Sequence, residues 1–256
     1  GEWGTPDKDL LLYIRDNAFR QFCMDNGYAD ADGNIILAEA AKATSLDVSD
    51  KGIKLLQGIE YFTGMTYLNC RNNQFTTLDV SRCTELLSLE CYSNNLTELN
   101  VSGCTKLTTL DCGDNPKLTS LDVSECSILD ILICDDTSLT LLDVSKCTAL
   151  TIFSCSNNPN LSELNVTGCT ALEKLYFNDT PKLSKIDLST CTGLIRLIGY
   201  GNSLTTLDVT KCTALEYIDF QGNSITTVDI SGCTTLKEVA FYRNPNLTKL
   251  NATGCT

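Results

Sequence analysis

The sequence predicts a solenoid of short parallel strands with a small helical cap at its N-terminus. Three observations support this fold class. Most of the chain repeats at intervals of 21 or 22 residues, cysteine recurs at two fixed positions of the repeat, and the first part of the chain lacks the repeat. A unit this short cannot bury its own apolar side chains, so neighbouring units must stack to form a core.

The repeat has the consensus LDVSxCTxLxxLxCxxNxLTx. Its units begin at Leu78, Leu99, Leu121, Leu142, Leu164, Ile186, Leu207 and Val228, and an incomplete unit begins at Leu250. Periods of about 20 to 29 residues containing LxxLxLxxN are typical of leucine-rich repeats. The predicted fold is therefore a leucine-rich repeat solenoid with a parallel β-sheet on its concave face and a thin convex side of strands and loops.

Residues 1–45 are predicted to form the helical cap, which a solenoid needs because its end would otherwise expose the core. Asp7 can begin a helix after Pro6. Apolar residues then recur at helical spacing, namely Leu10, Leu11, Ile14, Ala18, Phe19 and Phe22, and Cys23 joins that face. A turn-rich stretch at 25–34 precedes a second apolar, alanine-rich segment at 35–43.

Residues 46–256 are predicted to form the repeat domain of about nine to ten units, the last incomplete. The first unit, 46–77, is longer and begins with the wording Leu-Asp-Val-Ser. Its apolar residues line a helical or 3₁₀ turn, at Ile53, Leu56, Ile59 and Phe62. In a regular unit, Leu89 and Cys91 point inward while Ser88 and Glu90 point to the concave face.

The cysteines are predicted to be buried, reduced thiols. The first column comprises Cys83, Cys104, Cys126, Cys147, Cys169, Cys191, Cys212, Cys233 and Cys255. The second comprises Cys70, Cys91, Cys112, Cys134 and Cys155, and is continued by Phe177, Gly199, Phe220 and Phe241. Neighbouring parallel strands lie about 4.8 Å apart, whereas disulfide Cβ atoms lie about 3.8 Å apart. The chain contains no CxxC pair of the kind that binds zinc, so no metal or other cofactor is expected.

An asparagine three residues after the second column is predicted to bond successive backbones in the turn that follows the strand. It occurs as Asn73, Asn94, Asn115, Asn158, Asn202, Asn223 and Asn244, and Thr137 and Thr180 interrupt the column. Units of 22 residues carry a proline in the following loop, at Pro116, Pro159, Pro181 and Pro245. The extra residue should therefore lie in a turn and leave the strand register unchanged.

Composition excludes several functions. A net charge of −13 argues against nucleic acids and anionic membrane surfaces as partners. No apolar run is long enough to insert into a membrane. The chain contains no histidine, so Ser–His and Cys–His nucleophile pairs are excluded, and no phosphate-binding loop is present. The sequence therefore predicts no enzyme.

The wording of residues 46–256 resembles the cysteine-ladder leucine-rich repeats of internalin J-like bacterial surface proteins. The segment 30–39 and its continuation into 44–48 resemble caps on Bacteroidetes repeat proteins. The resemblance implies a protein that is secreted or attached to the cell surface, with a lipid anchor in the precursor as one form of attachment, and that acts in adhesion or recognition. Phenylalanine and glycine replace the second cysteine column in residues 177–241, which should change core filling and leave the fold intact.

Tyrosine and isoleucine are concentrated at positions that project onto the concave face. These residues are Tyr67, Tyr92, Ile131, Ile133, Ile152, Tyr176, Ile198, Tyr200, Tyr217 and Tyr242. Exposed Tyr and Ile on strands can reflect β-propensity alone, but tyrosine is also enriched at recognition surfaces. An acidic group beside them, Asp111, Asp114, Asp135 and Asp136, is interpreted as a solvated face.

A degenerate calcium loop is a second candidate. If Gly33 is the sixth position of an EF-hand loop, Asp30, Asp32 and Glu39 occupy positions three, five and twelve. Position one is then Tyr28, which has no carboxylate, so no tight calcium site is expected.

The leading hypothesis is a non-catalytic extracellular or cell-surface module that binds a protein or glycan on a host or neighbouring cell through its concave face. The alternative is a structural spacer without a ligand. The last coil is expected to leave an open edge, with rungs at Val239, Phe241 and Leu247. The expectation is either end-to-end association of copies or a native chain that continues.

Overall fold

The computed structural model describes residues 12–255, which form ten stacked coils preceded by a short cap. The helices are α1 (Asn17–Asp25), α2 (Leu37–Lys42) and a 3₁₀ helix (Ile59–Tyr61). The concave strands are β1 (Ser45–Asp47), β2 (Tyr67–Asn69), β4 (Ser88–Glu90), β6 (Thr109–Asp111), β7 (Ile131–Ile133), β9 (Ile152–Ser154), β11 (Lys174–Tyr176), β12 (Arg196–Ile198), β13 (Tyr217–Asp219) and β15 (Glu238–Ala240). In this order they make one parallel sheet, and coils 1 to 10 are numbered by these strands. The leucine-rich repeat solenoid is confirmed.

The cap differs in detail from the sequence prediction. Helix α1 begins only after Asp16, whose Oδ1 accepts a hydrogen bond from the Phe19 backbone N–H at 2.9 Å. Ile14 is buried but lies before the helix, so the prediction of one helical face running through it is wrong. The aspartate ends the preceding extended segment because its carboxylate supplies the acceptor for the first helical turn. Asp7, Leu10 and Leu11 lie outside the described residues.

The cap is joined to the solenoid through the same aspartate. Asp16 Oδ2 accepts backbone N–H groups of Lys54 at 2.8 Å and Leu55 at 3.2 Å, in the long loop of coil 1. Phe19 is fully buried and its ring centroid lies 6.3 Å from that of Phe62. Apolar packing and one shared carboxylate therefore cover the first rung of the core. The division of the chain at residues 45 and 46 stays a prediction.

The first repeat unit begins on the other side of the coil from where its wording predicts. The sequence Leu46-Asp47-Val48 matches the convex LDV wording, yet it lies in β1, where Leu46 is in register with Leu68 of the concave sheet. The error has a physical cause, because LDV and LxC alternate inward and outward residues in the same way. Val48 is fully buried and takes the place of the second-column cysteine.

The strand register is constant through coils of both lengths. Ser88 pairs with Thr109 across a unit of 21 residues, and Thr109 pairs with Ile131 across one of 22. The loop that contains Pro116 follows the strand and absorbs the extra residue, which confirms the prediction. Each outward side chain therefore lies beside the side chain at the corresponding strand position of the next coil.

The asparagine column is buried and joins consecutive coils, as predicted. Asn115 Nδ2 lies 3.2 Å from the Cys91 carbonyl oxygen of the preceding coil and 2.9 Å from the Cys112 oxygen of its own coil. Its Oδ1 accepts the Leu96 N–H at 3.0 Å. Where threonine interrupts the column, Thr180 Oγ1 lies 2.8 Å from Oδ1 of Asn202, so the hydroxyl joins the same network.

The first cysteine column provides a second set of bonds between coils. Each of its nine thiols lies 3.3 to 4.0 Å from a backbone carbonyl oxygen of the preceding coil, as Cys104 Sγ does from Val80 O at 3.4 Å. A thiol is a small apolar group with one weak donor, so it fills the core while it bonds this carbonyl. Leucine or valine would fill the space without the donor.

These thiols are expected to be unreactive in the folded protein. All cysteines are free, and all except the partly exposed Cys255 are buried. Burial raises the pKa of the Cys83 and Cys147 thiols to about 12, so the reactive thiolate is scarce at neutral pH. Titration with a disulfide reagent at pH 8 should modify Cys255 first and return all fifteen thiols only after denaturation. A denatured count near one would show that disulfides form.

The convex side carries three separate pairs of strands, β3 (Thr77–Asp79) with β5 (Glu98–Asn100), β8 (Leu141–Asp143) with β10 (Glu163–Asn165), and β14 (Thr227–Asp229) with β16 (Lys249–Asn251). In each pair an Asp in one coil precedes an Asn in the next, and the Asn amide hydrogen-bonds the carboxylate. The other neighbouring convex segments in residues 12–255 lack this order and do not pair. In three of these pairs a carboxylate stands beside a carboxylate and offers no donor, and in the other two the Asn precedes the Asp.

Substitution Asp208→Asn is expected to stabilise the convex side by about 1 kcal/mol. It would place an amide beside the Asp187 carboxylate and remove a like charge from the neighbouring coil. The control Asp122→Asn removes the same charge without creating the order, because the preceding residue in the column is Asn100. Thermal unfolding should show a higher midpoint for Asp208→Asn than for the control. Equal unfolding midpoints for the two variants would show that loss of the charge, and not the new amide–carboxylate bond, accounts for any stabilisation.

At the C-terminal end the half-unit lies as predicted, with Lys249–Asn251 paired to Thr227–Asp229. β15 is the last strand of the concave sheet, and its Val239 is 45% exposed. The prediction that Phe241 is an exposed rung is wrong: its ring stacks on Phe220 at 6.4 Å and the residue is buried.

Candidate binding surface on the concave face

The concave sheet presents two outward rows of side chains, one from the first and one from the third residue of each strand. From β2 to β15 the first row reads Tyr67, Ser88, Thr109, Ile131, Ile152, Lys174, Arg196, Tyr217 and Glu238. The second row reads Asn69, Glu90, Asp111, Ile133, Ser154, Tyr176, Ile198, Asp219 and Ala240. The central residue of each strand points into the core, so the two rows form one continuous surface.

Seven of the ten predicted tyrosines and isoleucines lie in these two rows, and Tyr92, Tyr200 and Tyr242 each lie two residues after a strand, beside the rows. All are partly exposed except Tyr242, which is 57% exposed on the last coil. The structure brings Ile131, Ile133 and Ile152 together at the centre, in coils 5 and 6. It also brings Tyr176, Ile198, Tyr200 and Tyr217 together in coils 7 to 9. Tyr67 and Tyr92 form a separate group in coils 2 and 3, and Tyr242 lies apart from both groups.

Acidic residues occupy coils 3 to 5, and two more, Asp219 and Glu238, lie in coils 9 and 10. Glu90 accepts a hydrogen bond from the Tyr67 hydroxyl at 3.2 Å and lies 3.7 Å from Arg71 Nη1. Asp111 follows Glu90 in the second row. Asp135 in the next coil accepts hydrogen bonds from Ser154 Oγ at 2.6 Å and the Ser156 N–H.

Asp111 and Asp135 are not simply solvated, in contrast to the sequence interpretation. Burial raises the pKa of both carboxyl groups, and each lies near a further carboxylate that adds to the shift. Asp114 and Asp136 do fit that interpretation, since they are exposed in the loops that follow the strands. The acidic group is therefore divided into a half-buried pair, Asp111 on the sheet and Asp135 just after β7, and an exposed pair beside it.

A pair of basic residues lies three coils further on, and sequence reasoning did not identify it. Lys174 and Arg196 are neighbours in the first row, and the guanidinium carbon of Arg196 lies 4.1 Å from the ring centroid of Tyr217. Neither basic residue forms an ion pair with a carboxylate in residues 12–255. Both are the first residue of their strand, so the sequence predicts that they lie on the concave face. Only the strand register shows that they are neighbours.

The candidate calcium loop is a tight hairpin turn. Asp30 Oδ1 accepts the backbone N–H groups of Asp32 at 3.0 Å and Asn34 at 2.9 Å, and Asn34 Nδ2 contacts its second oxygen at 3.3 Å. These bonds occupy the carboxylate within the turn, and Glu39 is already in helix α2. No group of three or more potential ligands for a metal ion occurs in residues 12–255.

The chain is similar to proteins of known structure. No model of a protein family and no curated protein sequence matches it. Among solved structures it is similar to the functional domain of InlJ from Listeria monocytogenes, which includes a cysteine ladder, with 32% identity and a TM-score of 0.79 over 94% of this chain. The chain spans 60% of that InlJ structure. Internalin C2 from the same organism shares the fold, with 18% identity and a TM-score of 0.58. The match covers 94% of this chain and 100% of that structure.

The leucine-rich repeat fold is generally used for binding, through the extended surface that stacked coils create. Within the described part of the chain, no helix has the length and apolar character needed to cross a bilayer. Fold, thiol columns and similarity agree: the chain is a leucine-rich repeat solenoid with a cysteine ladder, similar to the functional domain of InlJ.

Proposed function

We propose that this protein is an extracellular or cell-surface binding module whose concave face recognises a protein or glycan on a host or neighbouring cell. The observation that supports this proposal most strongly is the cluster of half-exposed tyrosines and isoleucines on one continuous sheet. Large amphipathic rings on a rigid backbone give much contact area at a low entropic cost.

The surface is also rigid, which favours recognition. The backbone of each concave strand from β2 to β13 is bonded to both neighbouring coils, and the asparagine and cysteine columns join the turns of successive coils. Side chains held by such a scaffold lose little further freedom on binding. The surface location rests on the similarity to InlJ, and it is part of the proposal.

The test compares wild type with a variant in which Tyr92, Tyr176, Tyr200 and Tyr217 are all alanine, on arrays of glycans and of cell-surface proteins. The control carries alanine at the exposed convex residues Thr77, Thr206 and Thr227. We expect a ligand that binds wild type and the control and loses affinity for the tyrosine variant by about tenfold or more. Unchanged binding by the tyrosine variant would exclude the concave face.

A spacer that holds another domain away from a surface is the second candidate. The regular stacking of coils gives it the required elongated shape. Absence of any array ligand, for wild type and both variants, would favour the spacer and contradict a binding function.

A further inference from the structure

The concave face has opposite charges at two separate places along the solenoid. The acidic zone consists of Asp111 in coil 4 and Asp135 in coil 5, and the basic zone consists of Lys174 in coil 7 and Arg196 in coil 8. Within residues 12–255 no basic side chain forms an ion pair with either aspartate, and no acidic side chain forms one with Lys174 or Arg196. Both zones can therefore accept an external charge of the opposite sign.

The two zones are separated by an apolar patch. Ile131, Ile133 and Ile152 project from coils 5 and 6 and are partly exposed. Ile131 and Ile152 are neighbours in the first row, and the flanking residues of both rows are polar or charged. Aliphatic side chains at this position offer no hydrogen bonds, so a sugar hydroxyl placed over them would lose its water without compensation. The apolar patch and the paired charges favour a polypeptide over a glycan.

From this arrangement we propose that the concave face binds an extended polypeptide segment with a basic, an apolar and an acidic side chain at alternate positions. The basic side chain lies over Asp111 and Asp135, the apolar one over the isoleucine patch, and the acidic one over Lys174 and Arg196. This inference rests on the proposed function and adds the class of partner and the order of its charges.

The spacing follows from strand geometry. Three steps of about 4.8 Å separate coil 4 from coil 7, and the same number separates coil 5 from coil 8, which gives about 14 Å. An extended chain rises about 3.3 Å per residue and points alternate side chains to one face. Residues i, i+2 and i+4 therefore span about 13 Å and face the sheet together. The segment should read basic-x-apolar-x-acidic, from the N-terminal to the C-terminal coils or reversed.

The aromatic residues beside the basic zone reinforce it. The Arg196 guanidinium lies over the Tyr217 ring, and its N–H groups can form a bidentate pair with a carboxylate of the ligand. Tyr176 lies beside Lys174 in the same strand. An acidic side chain bound there would meet one oriented guanidinium, one ammonium and a phenol hydroxyl.

The test pans a phage-displayed library of random dodecapeptides against the full chain and measures the affinity of synthetic winners by calorimetry. We expect the enriched peptides to share the basic-x-apolar-x-acidic spacing. Their affinity should fall about tenfold in the double variant Asp111→Asn/Asp135→Asn and in Lys174→Gln/Arg196→Gln. The control Glu98→Gln/Glu163→Gln removes two negative charges from exposed convex positions and should change affinity less than about twofold.

Charge reversal separates recognition from folding. The variant Lys174→Glu/Arg196→Glu should bind peptides in which lysine replaces the acidic residue and should lose the original ones, which a merely unfolded variant cannot do. Enriched peptides whose binding depends on Tyr176, but whose basic and acidic residues have no fixed order, would overturn this inference. The proposed function would still hold. Winners with basic and acidic residues about nine positions apart would indicate a helix and contradict the extended segment.

Two further outcomes concern the class of ligand. Glycan-array ligands that depend on the concave tyrosines, with no enriched peptide, would show that the partner is a glycan and refute the polypeptide. Failure of both screens would contradict this inference and the proposed function together.

Discussion

Replacing Gly199 with alanine is expected to lower the free energy of unfolding by about 1–3 kcal/mol, because the site is already overfilled by its neighbours. Gly199 stands in the second cysteine column, where the consensus residue is larger. A Cβ atom there would lie 2.6 Å from Phe177 Cζ and 2.8 Å from Phe220 Cε1. The two rings meet edge to face across the glycine, with centroids 5.8 Å apart.

The change should be measured by urea unfolding of Gly199→Ala beside Gly232→Ala. Gly232 is exposed in a convex turn, and its added Cβ would meet no atom closer than 3.8 Å. The control should therefore be neutral or slightly stabilising, since alanine reduces the entropy of the unfolded chain. Similar losses for both variants would show that the backbone, and not the rings, requires glycine.

Coupling gives a second check on the same contact. Shortening one ring with Phe220→Leu should make Gly199→Ala less costly than it is in the wild-type background, because the two positions share one space. Additive losses would show that the rings do not fill the site of Gly199.

The second large effect is expected for Asn115→Asp, which should cost about 3–5 kcal/mol at neutral pH. Asn115 is fully buried, and its amide nitrogen lies within 3.2 Å of three backbone carbonyl oxygens, those of Cys91, Cys112 and Gly113. A carboxylate of the same shape would turn an acceptor toward these oxygens, and the buried charge would keep the Leu96 N–H as a donor on its other oxygen alone. Asn95→Asp, in the exposed part of a loop, should change stability by less than about 0.5 kcal/mol.

The pH dependence of this variant has a definite sign. Burial and the facing carbonyls would raise the pKa of the new carboxyl in the folded state above that in the unfolded state. The folded variant would then bind more protons, so its stability relative to wild type should recover as the pH falls from 7 toward the unfolded pKa of about 3.9. Urea unfolding at several pH values measures this, and a difference that does not shrink on acidification would contradict the assignment.

Much of the fold could be predicted because the repeat reports its own geometry. The periodic leucines and cysteines predict the inward positions, and the asparagine column predicts the bonded turn. The local sequence does not determine whether a short segment lies on the concave or the convex side of a coil, as Leu46-Asp47-Val48 shows. The start of α1 also differs from the prediction, because the N-cap bond from the Phe19 N–H to Asp16 competes with a longer apolar pattern.

The candidate surface could be predicted only in part. Alternation along a strand identifies Tyr176 or Ile133 as outward, since the period is local. The neighbours of Lys174 and the half-burial of Asp111 depend on the residues of adjacent coils, which lie 21 or 22 positions away. Charge that is scattered along the sequence is thus collected into zones by the register alone.

The bonds made by the first cysteine column and the asparagine column give the solenoid a direction of growth. Cys104 donates to Val80 and Asn94 donates to Cys70, in each case toward the coil translated earlier. A nascent coil leaving the ribosome therefore finds these carbonyl acceptors already in place, and the first of them, Val48 and Ile59, lie in coil 1. Coils can be added or deleted behind an existing one without loss of acceptors for these donors, whereas loss of coil 1 would leave the donors of the next coil without acceptors.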